Sequence, residues 1–369
     1  MTERSSLRPD ETIQKSFIST TSLLYGEYEA DDLLITHAWS FDRPVDRRFT
    51  EGAASRNVFV VSFRTEAYEK KPGVVVPDYS HSSQAVAATL SVLFGKRFDD
   101  HGMYENSGMH QAPDFSQVNT LCAHWLPQNS HKERADLGIP LNLTAVERIA
   151  PVFFGGDLDE RFARTFRAAS SFYSQALQTA EQVPDVAYIH LITAGEVIAN
   201  FQEQTNDNLL DDEAKGLLEQ VSSLGPAGPE LARRLSKRFW TVKRKFVAAL
   251  LALTDDSFFE TSEAKQEYER FKVDKFEKRL AAAYDLRSRY VHAGTNFGRH
   301  VARNFAGGNA EIQHGHPVTG DRDLDKMLAL APTLIGLERV IRSCLLRLAI
   351  ANGGLLAPRN SEKPSDGPS

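Results

Sequence analysis

Arg287 and His292 stand five positions apart in the segment Arg287-Ser288-Arg289-Tyr290-Val291-His292, near the end of an amphipathic stretch and just ahead of Gly294. These two side-chain types suffice for cleaving RNA without a metal. An imidazole moves a proton at neutral pH, and a guanidinium holds the charge that builds on a phosphate under attack. Placed at roughly 100° per residue, Phe276, Leu280, Ala283, Tyr284 and Val291 share one arc with Arg287 in its middle. A guanidinium on an apolar face is costly unless it is paired or opens on a cleft. Arg287 is therefore either a structural arginine tied to a carboxylate or a catalytic one. His292 poses a geometric problem, because five positions amount to roughly 500° and leave it about 140° from Arg287. Either the helix ends near His292, as Gly294 would favour, or the side chains converge with those of a second copy. The plainer reading is a histidine at a helix C-terminus, where a cation is favoured.

Glu196 belongs to a second helical stretch, on a face shared with Tyr188, Ile189, Ile192 and Ala199. It either orients Arg287 or reaches solvent. A third stretch, from Glu230 to about Leu253, is the clearest amphipath. Arg233, Lys237 and Arg244 lie on one side, Arg234, Arg238 and Lys245 on the adjoining strip, and Leu231, Leu235, Phe239, Val242 and Phe246 opposite. Six cations on one broad arc could follow a phosphate backbone, or form a solvated face paired with acidic neighbours. His314 and His316 sit in a loop without a third ligand close in sequence, and Cys122, His124 and His131 lack a matching second half, so no metal site is expected. Gly155-Gly156 and Gly353-Gly354 lack the lysine and hydroxyl residue of a phosphate loop and read as turns.

The run Tyr284-Asp285-Leu286-Arg287-Ser288-Arg289-Tyr290-Val291-His292-Ala293-Gly294 resembles the signature of the HEPN superfamily, an arginine followed after four to six residues by a histidine. The Tyr-x-Leu-Arg-Ser lead-in is similar to the Apea-like HEPN branch, and Leu191-Ile192-Thr193-Ala194-Gly195-Glu196 resembles the hydrophobic helix with a glutamate that precedes the signature there. The likeness spans roughly residues 155–355. It implies an all-α HEPN-like helical bundle that pairs into a homodimer with both motifs lining one cleft. It also implies a metal-independent endoribonuclease without cofactor, often used in phage defence or stress response. In that reading Arg287 and His292 are catalytic, Glu196 supports Arg287, and Ser288 and Tyr290 are auxiliary hydrogen-bonders. A non-catalytic HEPN module for dimerisation or for binding RNA or a partner is the alternative. Two departures stand out: Ser288 occupies a place where many such ribonucleases carry Asn, His or Asp, and Gly294 stands where tyrosine-modified relatives carry a tyrosine.

The remaining chain must position these residues. Its 369 residues suit two domains, and 41% hydrophobic with 25% charged residues is ordinary for a soluble globular protein. A net charge of −6 gives no global pull toward nucleic acid. Two distant cysteines form no framework and fit a reducing cytosol. No apolar signal core or membrane-spanning run is visible, so a cytoplasmic location is expected. Residues 1–150 read as an α+β domain for recognition or regulation. Strands are expected at Leu33–Trp39, Asn57–Phe63 and Val74–Val76, a helix over Ser83–Phe94, and long loops with short elements through 99–140. Helices are expected over Arg161–Glu181, Val186–Glu203, Glu213–Ser222, Glu230–Leu253, Ser262–Val291 and Leu324–Ala351, the last kinked by Pro332. Residues 356–369 read as a disordered tail.

Overall fold

The computed structural model describes residues 7–38, 56–67, 71–73, 75, 77–116, 121–154, 158–203, 212–239, 242–302 and 308–357, with backbone only for 212–214 and 236–239. Val74 and Val76 of the third expected strand, Gly155-Gly156 and the expected tail from 358 lie outside these residues. The N-terminal region forms one antiparallel sheet from β1 (Glu11–Thr20), β2 (Tyr28–Glu29), β3 (Leu33–His37), β4 (Asn57–Glu66), β5 (Phe98–Asn106) and β6 (Met109–His110), in the order β2-β3-β4-β1-β5-β6. β1 pairs with β4 over its full length, Glu11 opposite Glu66 and Thr20 opposite Asn57.

β1 and β5 do not stand out in the sequence, because the groups they bury are largely polar. In β1 these are Gln14, Ser16, Ser19 and Thr20, which masks the alternation of a half-buried strand. In β5 they are Asp99 and His101. Asp99 is satisfied by Arg56 at 2.6 Å and Arg97 at 3.1 Å, and His101 contacts Ser19 Oγ at 2.8 Å and the Asp114 carbonyl at 2.7 Å. The stretch 99–140, expected as long loops with short elements, therefore opens with a nine-residue strand, β5, between β1 and β6. Helix α1 (Ser80–Phe94) packs against β5 and β1 and ends at Gly95, left-handed at φ 61°.

The remainder is helical: α2 (Ala150–Phe154), α3 (Glu160–Thr179), α4 (Pro184–Phe201), α5 (Asp212–Ser222), α6 (Gly228–Phe239), α7 (Val242–Ala252), α8 (Asp256–Glu260), α9 (Val273–Ala293), α10 (Gly298–Val301), α11 (Arg322–Leu330) and α12 (Leu334–Ala351). The expected helix over Glu230–Leu253 is seen as α6 and α7, on either side of residues 240 and 241, which are not described. Two expectations need correction. The helix expected from Ser262 begins only at Val273, because the Glu311 carboxylate holds Ser262 Oγ at 2.7 Å and the Glu263 and Phe271 N–H groups at 3.0 and 3.1 Å in a non-helical path. Pro332 divides rather than kinks its helix: Ala331 before it is extended, as a residue ahead of proline prefers, and Thr333 caps α12 by accepting from Gly336 N at 3.0 Å.

α4 packs against α3, α7, α9 and α12, and α3 also meets α1. Apolar side chains from the sheet region and from the helices join in one core, from Ile18 to Leu355. The joint is polar as well. Arg342 on α12 donates to the Val92 and Leu93 carbonyls at 2.9 and 2.6 Å. Arg134 makes paired bonds of 2.8 and 2.6 Å to Glu338. Arg339 holds Asp136 and Glu311, each at 2.9 Å. These charges are buried; the Arg134 and Arg339 pairs are compensated within the fold, whereas Arg342 meets carbonyls alone and keeps one nitrogen without a partner. Among the described residues, no helix is long and apolar enough to cross a membrane.

Candidate active site

α9 carries Phe276, Leu280, Ala283, Tyr284 and Leu286 into the core and stops at Gly294, whose φ of 64° closes the last turn with its N–H on the Tyr290 carbonyl at 3.0 Å. The glycine does the work expected of it, one residue later than His292 needs. Ala293 is still helical, so His292 lies inside the final turn and the helix end does not bring it round to Arg287. The two side chains leave α9 roughly 140° apart.

On the inner side Arg287 meets α4. Its Nη2 lies 3.7 Å from Glu196 Oε2, an ion-pair distance longer than a hydrogen bond, and its side chain is 25% exposed. Glu196 spends its other oxygen on Tyr284, whose hydroxyl donates at 2.8 Å. The Arg287 guanidinium also stands 5.7 Å from the Tyr284 ring centre. Its Nε is buried without a hydrogen-bond partner. Burial and the Glu196 carboxylate beside it push the Tyr284 phenol up to about 12, so it remains a donor at any physiological pH. The expectation that Glu196 faces Arg287 thus describes the contact found. Tyr284, which completes the cluster, stands three residues before Arg287 on the same helical face. Ser288 is half-buried beside the cluster, and Tyr290 turns away into an aromatic stack, 6.0 Å from Phe297, which in turn meets Tyr188 at 5.3 Å.

On the outer side His292 is exposed. It falls in the seven-residue register of Lys278 and Asp285, hence on their face of the helix. Those two residues, with Arg289, Lys326 and Met327, line an open groove between α9 and α11. The groove wall is held by Lys243 on Asp285 at 2.6 Å and Arg289 on Asp321 at 2.5 Å.

No family model, no curated protein and no solved structure matches this chain. The site is read from its own geometry.

The basic arc is less uniform than its spacing predicts. Arg233 and Arg234 are exposed on α6, with Arg233 held by Glu230 at 2.7 Å, whereas Arg244 and Lys245 are half-buried on α7. The side chains of Lys237 and Arg238 lie outside the described residues. Elsewhere, Cys122 Sγ lies 3.6 Å from His124 Nε2 and the His124 and His131 rings stack at 4.8 Å, while burial pushes the Cys122 thiol up. His314 packs on Tyr268 at 4.9 Å. Among the described residues no group of three His, Cys, Asp or Glu could hold a metal ion.

Proposed function

We propose that this chain is a metal-independent endoribonuclease of HEPN type, working as a homodimer whose cleft draws Arg287 and His292 from the two copies. The observation that carries this reading is the unsaturated state of Arg287. Its Nε has no acceptor, its nearest carboxylate is 3.7 Å away, and a quarter of the side chain is open. Arg339, wholly buried, is saturated by Asp136, Glu311 and two carbonyls; the structural Arg342 also keeps one buried nitrogen without a partner, so it is the partial exposure of Arg287 that sets it apart. Arg287 is held toward Glu196, and a quarter of its side chain remains open to a phosphate. His292 is exposed and in this reading meets a partner's arginine.

In this mechanism the His292 imidazole takes the proton from a ribose 2′-hydroxyl, and that oxygen attacks the adjacent phosphorus. Arg287 holds the added negative charge of the phosphorane. The 5′-oxygen then leaves and takes up a proton, so the ends are a 2′,3′-cyclic phosphate and a 5′-hydroxyl. Lys278, Arg289 and Lys326 along the groove, together with Arg233 and Arg234, would hold flanking phosphates. Phage defence or stress-triggered RNA cleavage in the cytoplasm is the setting that the resemblance suggests.

A second reading, a non-catalytic dimerisation or RNA-binding module, is favoured by the divergence of the two motif side chains in one chain. Total RNA incubated in EDTA with wild type and with His292→Ala separates the two. The enzyme should leave cyclic-phosphate ends that the variant makes about 10²–10⁴-fold more slowly. Equal cleavage by both proteins would remove His292 from the mechanism, and none by the wild type would favour the binding module.

A further inference from the structure

A second site lies away from this chemistry, where the sheet region meets the helices. The C-terminal end of α3, the start of α4, α10 and the first turn of α12 border a partly open apolar cavity of about 230 Å³ with the loop before residue 129. Natural cores seldom leave voids larger than a water molecule, and an apolar void of ~150 Å³ already takes benzene. Leu126, Leu177, Ala180, Leu191, Leu334 and Ile335 form the walls, and Trp125, 50% exposed, stands among the lining residues of the loop.

The charges in the wall decide what fits. Two carboxylates reach the cavity, and both are already satisfied. Glu181 accepts from the Asn129 amide at 2.7 Å and from the Ala123 N–H at 2.8 Å. Glu338 accepts from Arg134 twice and from the Tyr173 hydroxyl. No lysine, arginine or histidine lines the cavity among the described residues. A phosphate or carboxylate would meet two fixed negative charges with no cation exposed to it, and an ammonium would find both carboxylates occupied. We infer that this cavity is a binding site for a small neutral, mainly apolar molecule of one or two rings, taken up beside Trp125.

Calorimetric titration of the full chain with toluene and cyclohexanol, against benzoate and benzylammonium as charged counterparts, tests this. Toluene and cyclohexanol should bind and raise the thermal midpoint in proportion to concentration, and the charged pair should not. Ala180→Phe fills the cavity and should weaken binding by about tenfold or more. Trp125→Ala alters a half-exposed residue outside the buried core, and it should weaken binding whether or not the first variant folds. The site is refuted if neither neutral probe binds at about 1 mM, or if Trp125→Ala binds as the wild type does. Equal binding of benzoate or benzylammonium would overturn the assigned ligand class.

Discussion

Glu196 is the pivot of the candidate site, because its two oxygens do different jobs. Oε1 is taken by the Tyr284 hydroxyl at 2.8 Å, which leaves Oε2 to hold Arg287 at 3.7 Å. The phenol thereby keeps the carboxylate from closing on the guanidinium. Tyr284→Phe should let Glu196 pair tightly with Arg287 and withdraw donors from an incoming phosphate. Affinity for a non-cleavable 2′-deoxy oligonucleotide should fall by about 1 kcal/mol, roughly fivefold. Glu196→Gln should not reproduce this loss, since a neutral amide cannot capture the guanidinium; unchanged affinity in Tyr284→Phe would remove the pivot. The same phenol sets an alkaline limit. Its folded value of about 12 lies above the ordinary 10, so the folded state holds the proton more tightly than the unfolded one. The stability this supplies is complete below pH 10 and declines as pH rises from about 10 to 12. Burial also pushes the Tyr28, Tyr173 and Tyr188 phenols up, so an ultraviolet titration should show one fewer late-ionising tyrosine in Tyr284→Phe than in the wild type.

At the scale of elements, the site depends on how closely α4 approaches α7. A Cβ at Gly195 would lie 2.4 Å from the Phe246 ring, so this glycine lets Phe246, 5.5 Å from Tyr284, settle between the helices that carry Glu196 and Arg287. Gly195→Ala should cost about 1–3 kcal/mol by overpacking, despite alanine's better helix propensity, and should reduce RNA cleavage by displacing Glu196. A urea midpoint equal to that of the wild type would show slack between α4 and α7. Elements of this kind were legible where apolar periodicity is strong: α1, α3, α4, β3, β4 and the glycine stop after α9 all match their sequence signals. The pairing of Glu196 with Arg287 was legible too, since each is a charge on an apolar face. What stayed hidden was held by polar groups that find partners far away in sequence. Gln14 and Ser16 blur β1, Asp99 and His101 blur β5, and Glu311 pulls 262–272 out of the helical path. In the same way α12 is buried almost all round, with Glu338, Arg339 and Arg342 bonded to groups far away in sequence.

For the whole molecule, the proposed mechanism and the divergence of Arg287 and His292 together call for a second copy. α9 is held on its inner side by Tyr284 and Leu286 in the core and on its outer side by Lys243 on Asp285 and Arg289 on Asp321. Unwinding its last turns to bring His292 inward would sacrifice these contacts and the Gly294 cap together. A second copy laid against the exposed end of α9 needs no such change. Arg287→Ala and His292→Ala should each be inactive as pure proteins, yet coexpressed copies should regain part of the wild-type rate. In a mixed pair, one chain still offers Arg287 and the other His292. Sedimentation should find the wild type as a dimer at the concentrations where it cleaves. A site completed within one chain predicts the opposite pattern, with no rescue on mixing and an active monomer, and either result would rule out the shared cleft.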